Sequence, residues 1–594
     1  MNIKLNTVRI SNFRSLKNVE IEFERITLLV GTNNSGKSAL LKALQLSFGV
    51  ERKVYREDFY SAEEENDAGQ ITIDALLVPV NENFERVKEF NPIWREYFGN
   101  KINMDILTSN QYIAYRTIIS YDPIKADYNI KRLKLEEWRE TNWLETEVDT
   151  NESNRFAKIP LFYIDAQRDI TADLKDRNSY FSRMIAKNEF NKDAIGEIQN
   201  QLDKLNELAI ENSPILEHLR KALNKLNETI TTTGDGVDIT PFAQRIKDVA
   251  KGTNITFQDG TSEKFTLDYH GMGTRSWASL LSYNAFISWL IKHAENKKAF
   301  HPILALEEPE AHLHPNAQRH LYAQISSFGG QKIISTHSPY IAGQAKLKEI
   351  RLISKVQAHT QVTSLNIQGL DAEKERKIER EIMNTRGELL FSKIVVLGEG
   401  ETEEQALPIY FEEKFKVHPF NLGVNFISVG SDNYSTFLQV LNKLNIKWFI
   451  FSDYDTDKVR KNILSSLQSI NISKIEDTNS LVLLETSIED YLVNQNYDSE
   501  LIKAIETIEE ENYFEEVFIK DLHGQKGKKG VIRDYKSDGG RQRALVDCLK
   551  NGKTKYATAI AKEITKIEDN ERKFPKKIKE LLKKIGNELN INVL

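Results

Sequence analysis

The chain has 594 residues, a formal net charge of −6, 40% hydrophobic residues and 28% charged residues. This length is typical of two to four domains, and the composition excludes a disordered chain. The negative net charge excludes a uniformly basic nucleic-acid binder, so any such contact needs a local basic patch. A single cysteine, Cys548, excludes an internal disulfide. No apolar stretch is long enough to span a membrane, so we expect a cytoplasmic protein without a membrane partner.

The first predicted elements are strands. Apolar and polar residues alternate over residues 8–10 and again over residues 19–23, which predicts antiparallel strands. The apolar run Ile26–Val30 follows and predicts a buried strand that ends at Gly31. A helix is expected from Lys37 onward, so a loop connects the buried strand with a helix.

That loop reads Gly31-Thr32-Asn33-Asn34-Ser35-Gly36-Lys37-Ser38 and matches the pattern GxxxxGK[ST]. In this pattern backbone N–H groups bind the phosphates, the lysine neutralises the charge of the β- and γ-phosphates, and the serine hydroxyl binds Mg²⁺. The pattern therefore predicts an ATP-binding site formed by Gly31, Asn33, Asn34, Gly36, Lys37 and Ser38.

Residues 195–230 have helical periodicity. Apolar residues recur at three-four spacing over residues 195–205 and again over residues 216–230, which predicts two amphipathic helices hinged at Ser213-Pro214. Each seam spans about two heptads, which is too short for a stable isolated coiled coil. The helices therefore pack either on the body of the chain or on a second copy, and the sequence leaves both alternatives open.

Residues 303–306 predict another buried strand, which ends in Glu307 and Glu308. Two carboxylates at the end of a strand are typical of the Walker B motif, in which the first holds the metal and the second orients the attacking water. Glu307 stands where most ATPases of this class have aspartate, and Glu308 is the catalytic candidate. A further predicted strand ends at Thr336-His337-Ser338-Pro339, where His337 can sense the γ-phosphate.

The long separation between the phosphate loop and the Walker B motif is typical of ABC and SMC-like ATPases, which insert helical segments between two lobes. Residues 311–315 resemble the D-loop of that class. Residues 271–276 resemble a degenerate signature motif, which reaches the nucleotide across a dimer. Gln167 is a candidate Q-loop residue that would contact ATP.

A second acidic group follows residue 385. The apolar run 394–397 predicts a strand that leads to Glu399, and the later run 448–452 leads to Asp453-Tyr454-Asp455. In an extended segment the two aspartates of a DxD pattern point the same way. Carboxylates at the ends of two strands can therefore share one divalent metal, and hard oxygen ligands suit Mg²⁺ or Mn²⁺.

These motifs, in this order, resemble the OLD (overcoming lysogenization defect) family, in which an ABC-type ATPase precedes a Toprim domain. The resemblance implies an α/β fold: an ABC/SMC-like ATPase with a helical, dimerising insertion, followed by a C-terminal Toprim domain. We expect the N-terminal ATPase lobe in residues 1–170, the insertion in 171–245, the C-terminal ATPase lobe in 246–385 and the Toprim domain in 386–594.

The resemblance also implies a metal-binding set in the Toprim domain: Glu399, Glu403, Asp453, Asp455 and Glu489, with Asp490 as the alternative to Glu489. Glu399 and Asp453 would be catalytic. A lysine near the scissile phosphate is implied as well, at Lys555 or alternatively at Lys553. Both lysines lie in a basic segment, residues 520–555, which has eleven Lys or Arg against four Asp.

The implied function is that of an ATP-hydrolysing DNA endonuclease, a nickase or a double-strand cutter, in bacterial anti-phage defence. Mg²⁺ or Mn²⁺ would act at both the ATPase and the Toprim site, and ATP could either activate or restrain cutting. A homodimer or larger homo-oligomer formed through the ATPase is implied, together with a co-encoded partner such as the helicase-like protein of Gabija or a retron nucleic acid. The alternative is a non-catalytic, SMC-like, ATP-driven DNA clamp with a structural Toprim unit.

Overall fold

The computed structural model of the protein describes residues 3–49, 53–60, 69–152, 158–166, 192–217, 256–257, 265–266, 269, 271–294, 299–365, 372–430, 433–527 and 531–591. Gln167 and most of the second predicted helix of the insertion lie outside these ranges. The first predicted helix is present, and it ends shortly before Ser213.

The described strands are β1 (Ile3–Phe13), β2 (Leu16–Glu22), β3 (Ile26–Val30), β4 (Ile71–Pro79), β5 (Asn103–Met104), β6 (Gln111–Asp122), β7 (Asp127–Leu135), β8 (Val148–Glu152), β9 (Leu161–Ile164), β10 (Thr256–Phe257), β11 (Phe265–Thr266), β12 (Ile303–Glu307), β13 (Gln331–Thr336), β14 (Ile350–Val356), β15 (His359–Ser364), β16 (Ile394–Gly398), β17 (Val424–Ser428), β18 (Lys447–Asp453) and β19 (Leu481–Leu484).

The described α-helices of four or more residues are α1 (Lys37–Phe48), α2 (Pro92–Phe98), α3 (Lys192–Glu211), α4 (Met272–Ala294), α5 (Pro315–Ser327), α6 (Pro339–Ala342), α7 (Ala372–Ile378), α8 (Glu401–Phe415), α9 (Tyr434–Lys443), α10 (Asp457–Gln468), α11 (Ile488–Asn494), α12 (Asp498–Ile508), α13 (Gly540–Gly552), α14 (Ala557–Thr565) and α15 (Lys576–Glu588).

Two sheets and helix α1 build the ATPase part. An antiparallel sheet has the order β2-β1-β4-β6-β7-β8, and a mainly parallel sheet has the order β15-β14-β3-β13-β12-β9. Alternate residues of β3 face opposite layers: Leu29 packs in the core that contains α1, whereas Leu28 and Val30 pack in the core on the other face. Burial on both faces explains why this strand is apolar apart from Thr27.

The strand order brings three distant segments together. Strands β3, β13 and β12 are parallel neighbours, so their carboxyl ends lie at one edge of the sheet. The phosphate loop follows β3, Glu307 ends β12, and His337 follows β13. Ligand sites of open α/β sheets lie at such an edge.

The C-terminal part is built on a four-stranded parallel sheet with the order β17-β16-β18-β19. Strand β16 again has two buried faces, because Val395 and Leu397 pack in one core and Ile394 and Val396 in another. Strands β16 and β18 are direct neighbours. Acidic residues that follow these two strands are therefore brought to the same edge.

The ATPase and the C-terminal part share one continuous hydrophobic core, which includes Leu306, Ile341, Met383 and Val395. Backbones touch directly at this junction. A Cβ atom on Gly387 would lie 2.5 Å from the carbonyl oxygen of Pro339, at the start of α6. The turn that carries His337 is therefore packed against the connection to the C-terminal sheet.

The predicted α/β fold class, with two successive α/β parts, is confirmed by this architecture. Among the described residues, no helix is both long and apolar enough to cross a membrane.

Candidate functional site

The phosphate loop has the backbone shape that its sequence predicts. Asn34 and Gly36 have positive φ angles of 60° and 111°, and Gly36 caps the N-terminus of α1. The Lys37 ammonium donates to the carbonyl oxygens of Gly31 and Thr32 at 2.9 Å each. Burial lowers the pKa of Lys37 to about 8, although nearby Glu308 opposes this. A desolvated ammonium across a loop of N–H groups gains strongly from a bound phosphate.

Strands β14 and β15 support this loop from behind. A Cβ atom on Gly31 would lie 2.1 Å from the carbonyl oxygen of Ile353, and a Cβ atom on Gly36 would lie 2.3 Å from the Thr360 hydroxyl. That hydroxyl donates to the carbonyl of Ser35 at 2.9 Å. Both glycines are therefore required by close approach of the chain.

Glu307 joins the Walker B strand to the phosphate loop. One of its carboxylate oxygens accepts a hydrogen bond from the Ser38 hydroxyl, and the other accepts one from the Tyr163 hydroxyl. The two residues predicted to bind the ATPase metal are thus in direct contact. Burial and the bond to Glu307 raise the pKa of Tyr163, so this tyrosine remains a neutral donor. Tyr163 had no predicted role.

Glu308 and His337 form a second contact at the same edge. The His337 Nε2 atom lies 3.2 Å from a carboxylate oxygen of Glu308, and both side chains are partly exposed to the cleft. Burial and the neighbouring Lys37 lower the pKa of His337, which favours the neutral imidazole. The two candidate catalytic side chains of the ATPase are therefore paired.

Glu310 is a site residue that the sequence analysis missed. Its buried carboxylate accepts hydrogen bonds from the Thr336 hydroxyl (2.6 Å) and from the backbone N–H groups of His337 (2.8 Å) and Ser338 (3.1 Å). Burial raises the pKa of Glu310. The signal was available, since a third acid follows the Walker B pair and a polar turn follows the neighbouring strand.

An open cleft of about 910 Å³ lies above the loop. It is lined by Arg14, Ser15, Asn33, Asn34, Ser35, Gly36, Lys37, Ser38, Ala39, Glu57, Glu308, His337 and Lys355. Arg14, held by Asp58 at 2.7 Å, and Lys355 add positive charge that the sequence analysis did not assign. Size, charge and loop geometry fit a nucleoside triphosphate.

The signature-like segment lies against the D-loop-like segment of the same chain. Helix α4 begins at Met272, and a Cβ atom on Gly273 would lie 2.8 Å from the carbonyl oxygen of His312. Gln167, the Q-loop candidate, lies outside the described residues.

The second site lies at the ends of β16 and β18. Glu399 follows β16, Asp453 ends β18, and the Ser452 hydroxyl donates to Glu399 at 3.0 Å. Burial, followed by the charge of Asp455, raises the pKa of Glu399. These three predicted acids are therefore brought together.

Asp453 is the most perturbed of these acids. Burial, and then the charges of Glu403 and Glu399, raise its pKa to about 8. Its Oδ1 atom is buried without a hydrogen-bond partner among the described residues. Glu403 is 4% exposed, accepts from the backbone N–H of Gly400 at 2.9 Å, and has a pKa raised to about 7 by burial.

Glu489 and Asp490 differ in their partners. The negative charge of Glu489 acts to raise the pKa of both Glu403 and Asp453. Asp490 instead contacts the Lys550 ammonium at 2.6 Å and the Ser487 hydroxyl at 2.7 Å. Glu489 therefore belongs electrostatically to the acidic group, and Asp490 to an ion pair beside it.

The lysines near this site also differ in their partners. Lys555, the residue suggested by resemblance, donates to Glu509 at 2.5 Å, and the side chain of Lys553 lies outside the described part of the structure. Lys550 was not predicted. Burial lowers its pKa, but the nearby Asp490, Glu489 and Asp455 raise it, and the net shift of the pKa is upward. Helix α13 packs against α11, and this packing brings Lys550 to the acids.

The acidic group fits a divalent cation in its chemistry. Within the described ranges, no three His, Cys, Asp or Glu side chains converge into a complete metal cage. The mutual repulsion of the carboxylates and the unsatisfied Asp453 Oδ1 atom are nevertheless what a hard cation would relieve. The residues present thus match the predicted ligand type.

Comparison with known proteins gives a consistent result. A family described as AAA ATPase domain matches residues 3–342, and one described as overcoming lysogenization defect protein-like, TOPRIM domain matches residues 390–455. The Old nuclease of Escherichia phage P2 is 25% identical to this chain, and the matched region covers 96% of this chain and 99% of that nuclease. The OLD nuclease of Thermus scotoductus is 22% identical over 67% of this chain and 71% of its own.

A third relative is the Endonuclease GajA of Bacillus cereus, which is 22% identical over 76% of this chain and 75% of its own. The AAA ATPase match covers more than half of the chain, and the Toprim match begins where the second sheet begins. The chain therefore belongs to the AAA ATPase domain family, and its residues 390–455 match the Toprim domain model of OLD-like proteins.

Proposed function

We propose that this protein is an ATP-hydrolysing, divalent-metal-dependent DNA endonuclease. The observation that carries the proposal is the acidic group at the ends of the adjacent strands β16 and β18. The partly buried Asp453, with a pKa raised to about 8, is destabilised in its charged form by burial and by its neighbours. A chain keeps such a group where function requires it, because perturbed acids cluster at catalytic sites.

The reaction that suits this group is hydrolysis of a phosphodiester. Glu399, Glu403, Asp453, Asp455 and Glu489 are the proposed metal ligands. A bound Mg²⁺ or Mn²⁺ would activate water and stabilise charge on the scissile phosphate. Hydrogen bonds orient two of these side chains: the Ser452 hydroxyl orients Glu399, and the backbone at the N-terminus of α8 orients Glu403.

A positive charge beside the scissile phosphate would stabilise the transition state. Two lysines are candidates: Lys555, which family resemblance suggests, and Lys550, whose ion pair with Asp490 lies beside Glu489. We favour Lys550, because the proposed metal ligands Glu489 and Asp455 act on its charge, whereas Lys555 pairs with Glu509 away from that group.

The ATPase chemistry follows from the contacts in the cleft. Lys37 would neutralise the β- and γ-phosphates, and Ser38 with Glu307 would hold the metal. Glu308 would orient the attacking water, and His337, neutral and in contact with Glu308, would sense the γ-phosphate. Glu310 keeps the His337 backbone in place.

We also propose that the protein assembles as a homodimer or larger homo-oligomer, in which the signature-like segment of one copy meets the nucleotide of another. The resemblance of residues 271–276 to a signature motif supports this assembly. Because the turn after His337 packs directly on Gly387, nucleotide-dependent movement of that turn would reach the Toprim domain.

The test uses supercoiled plasmid with the full-length protein, in Mg²⁺ or Mn²⁺, with and without ATP, beside Asp453→Ala. We expect nicked or linear plasmid with the wild type and none with the variant, while both hydrolyse ATP equally. Equal cutting by Asp453→Ala would contradict the assigned site. DNA binding without cutting under either metal would favour the SMC-like clamp.

The direction of coupling is read from Lys37→Ala. Cutting that no longer depends on ATP would mean that the nucleotide restrains the nuclease, and loss of cutting would mean that it activates the nuclease. A role in anti-phage defence, with a co-encoded partner, is proposed from the OLD resemblance. It is tested by phage plating on cells that express the wild type or Asp453→Ala.

A further inference from the structure

A short two-stranded ribbon, called here the basic arm, lies in the Toprim domain. Residues 524–527 pair with residues 531–533: the N–H of Gly524 donates to the carbonyl of Arg533 (2.8 Å), and the N–H of Gly527 donates to that of Val531 (2.8 Å). An isolated bridge between Lys526 and Ile532 lies between these bonds. The arm belongs to the basic segment 520–555, which has a net excess of seven positive charges, eleven minus four.

Several side chains of the arm are exposed. Val531 is 71% exposed and Ile532 is 60% exposed. Consecutive residues of an extended strand point to opposite faces, so neither face of the ribbon is packed on the protein. Lys526, on the other strand, is exposed as well. Exposed apolar side chains beside exposed positive charge are able to contact both the bases and the phosphates of a nucleic acid.

The base of the arm, by contrast, is firmly anchored. The backbone N–H of Tyr535 donates to the His523 ring at 3.1 Å, and the buried Tyr535 donates its hydroxyl to Asp547 at 2.8 Å. Arg533 lies 3.8 Å from the same Asp547 carboxylate. Asp547 belongs to α13, so the arm is attached to this helix.

Helix α13 also carries Lys550, which contacts Asp490 beside the acidic group. Asp547, which holds the arm, lies three residues before Lys550, a rise of about 4.5 Å along the helix. The arm and the acidic group are thus connected by one rigid element, so a duplex held by the arm would also lie near the acids.

We propose that the basic arm lies in a groove of duplex DNA and holds the substrate across the nuclease site. Its role rests on the proposed nuclease function. A groove admits a two-stranded ribbon, apolar side chains of such ribbons contact base edges, and lysines contact phosphates. The positive charge of the segment favours DNA over a second copy of this chain, since two arms of like charge repel each other.

The experiment compares the full-length wild type with Val531→Ser/Ile532→Ser and with Lys526→Ala. The matched controls are Ile106→Ser/Leu107→Ser, an adjacent apolar pair that is at least 94% exposed on the ATPase part, and the exposed Lys131→Ala. Binding to a duplex of several helical turns is measured in Ca²⁺, so that binding is read independently of cutting. Turnover is measured in Mn²⁺ on plasmid and on bis(p-nitrophenyl) phosphate.

We expect the double serine variant to bind duplex about 10-fold more weakly. Lys526→Ala should lower the slope of log affinity against log salt by about one. Both variants should hydrolyse bis(p-nitrophenyl) phosphate at the wild-type rate, and the controls should match the wild type throughout. Unchanged duplex affinity in both arm variants would overturn the role of the arm even where the wild type cuts DNA.

Two further outcomes are decisive. A changed oligomeric state of the arm variants in sedimentation, with unchanged DNA affinity, would identify the arm as a protein contact and overturn the proposal. Weaker duplex binding by the arm variants, in a wild type that hydrolyses neither phosphodiester, would support the arm while contradicting the proposed nuclease.

Discussion

The Lys550 ammonium lies 2.6 Å from a carboxylate oxygen of Asp490, immediately next to Glu489 in the chain. The two residues are separated by sixty positions in the sequence. Asp490 is thus paired with a lysine, whereas the charge of Glu489 acts on Glu403 and Asp453. It also brings a cation to an acidic edge where a phosphate would otherwise meet only negative charge.

Replacing Lys550 with alanine is expected to lower plasmid cutting by about 100-fold, because one stabilising charge at a phosphoryl site contributes on this order. Lys555→Ala should change the rate by less than about threefold, since its ion pair with Glu509 is half exposed and contributes little. Lys566→Ala, another exposed paired lysine, is the control. A larger loss for Lys555→Ala than for Lys550→Ala would return the phosphate contact to Lys555.

Asp453→Asn is expected to reduce cutting by at least about 1,000-fold and to leave ATP hydrolysis unchanged, because the amide removes a charged metal ligand. Asp457→Asn is the matched control. It lies four residues away with a 91% exposed side chain and should keep wild-type cutting. Quantified plasmid nicking and phosphate release measure the two activities, and a parallel loss of both would point to misfolding instead.

Stability of the metal-free protein should fall as pH rises. The folded-state pKa values of Asp453 and Glu403 are raised to about 8 and about 7, above the unfolded values of about 4. The folded state therefore binds more protons than the unfolded state. The stability that these two acids contribute is lost as the pH rises from about 4 to about 8. A divalent cation reverses this loss, so the rise in Tm caused by Mg²⁺ should be larger at pH 8.5 than at pH 6.

Thermal melts in EDTA and in Mg²⁺ across this pH range measure the effect. Asp453→Asn removes a like charge, so it should melt higher than the wild type in EDTA at pH 8 and gain less from Mg²⁺. A rise in Tm that is independent of pH would speak against metal binding at these acids.

Glu310→Ala should lower both ATP hydrolysis, by at least 10-fold, and the free energy of unfolding, by about 1–3 kcal/mol, because three donors lose their buried acceptor. Glu308→Gln should lower kcat for ATP by about 100-fold without a change in stability, since Glu308 is partly exposed. Denaturant titrations and phosphate release separate the two. Equal stability of both variants would refute the positioning role of Glu310.

Gly387→Ala tests communication between the two sites. A methyl group there would overlap the carbonyl of Pro339, which costs about 1–3 kcal/mol or displaces the turn after His337. We expect ATP to change the rate of plasmid cutting by the variant at most half as much as it changes the rate of the wild type. ATP hydrolysis and plasmid cutting should each be retained. Gly196→Ala, a helical glycine with open space around it, is the control and should keep the wild-type ratio.

The sequence by itself determined the parts whose chemistry is local. The phosphate loop, the Glu307-Glu308 strand end and the strand ends at Glu399 and Asp453 depend on short patterns, because backbone conformation and strand periodicity are set by neighbouring residues. The fold class followed from the order of these motifs along the chain, which carries the resemblance to the OLD family.

Only the tertiary structure decided which distant groups meet. Thr336 meets Glu310 because β12 and β13 are parallel neighbours, and Tyr163 meets Glu307 because β9 lies beside β12. Lys550 reaches Asp490 because α13 packs on α11. Such contacts depend on how layers pack through their apolar faces, and no short sequence pattern encodes that packing. The choice between Lys550 and Lys555 therefore needed the fold.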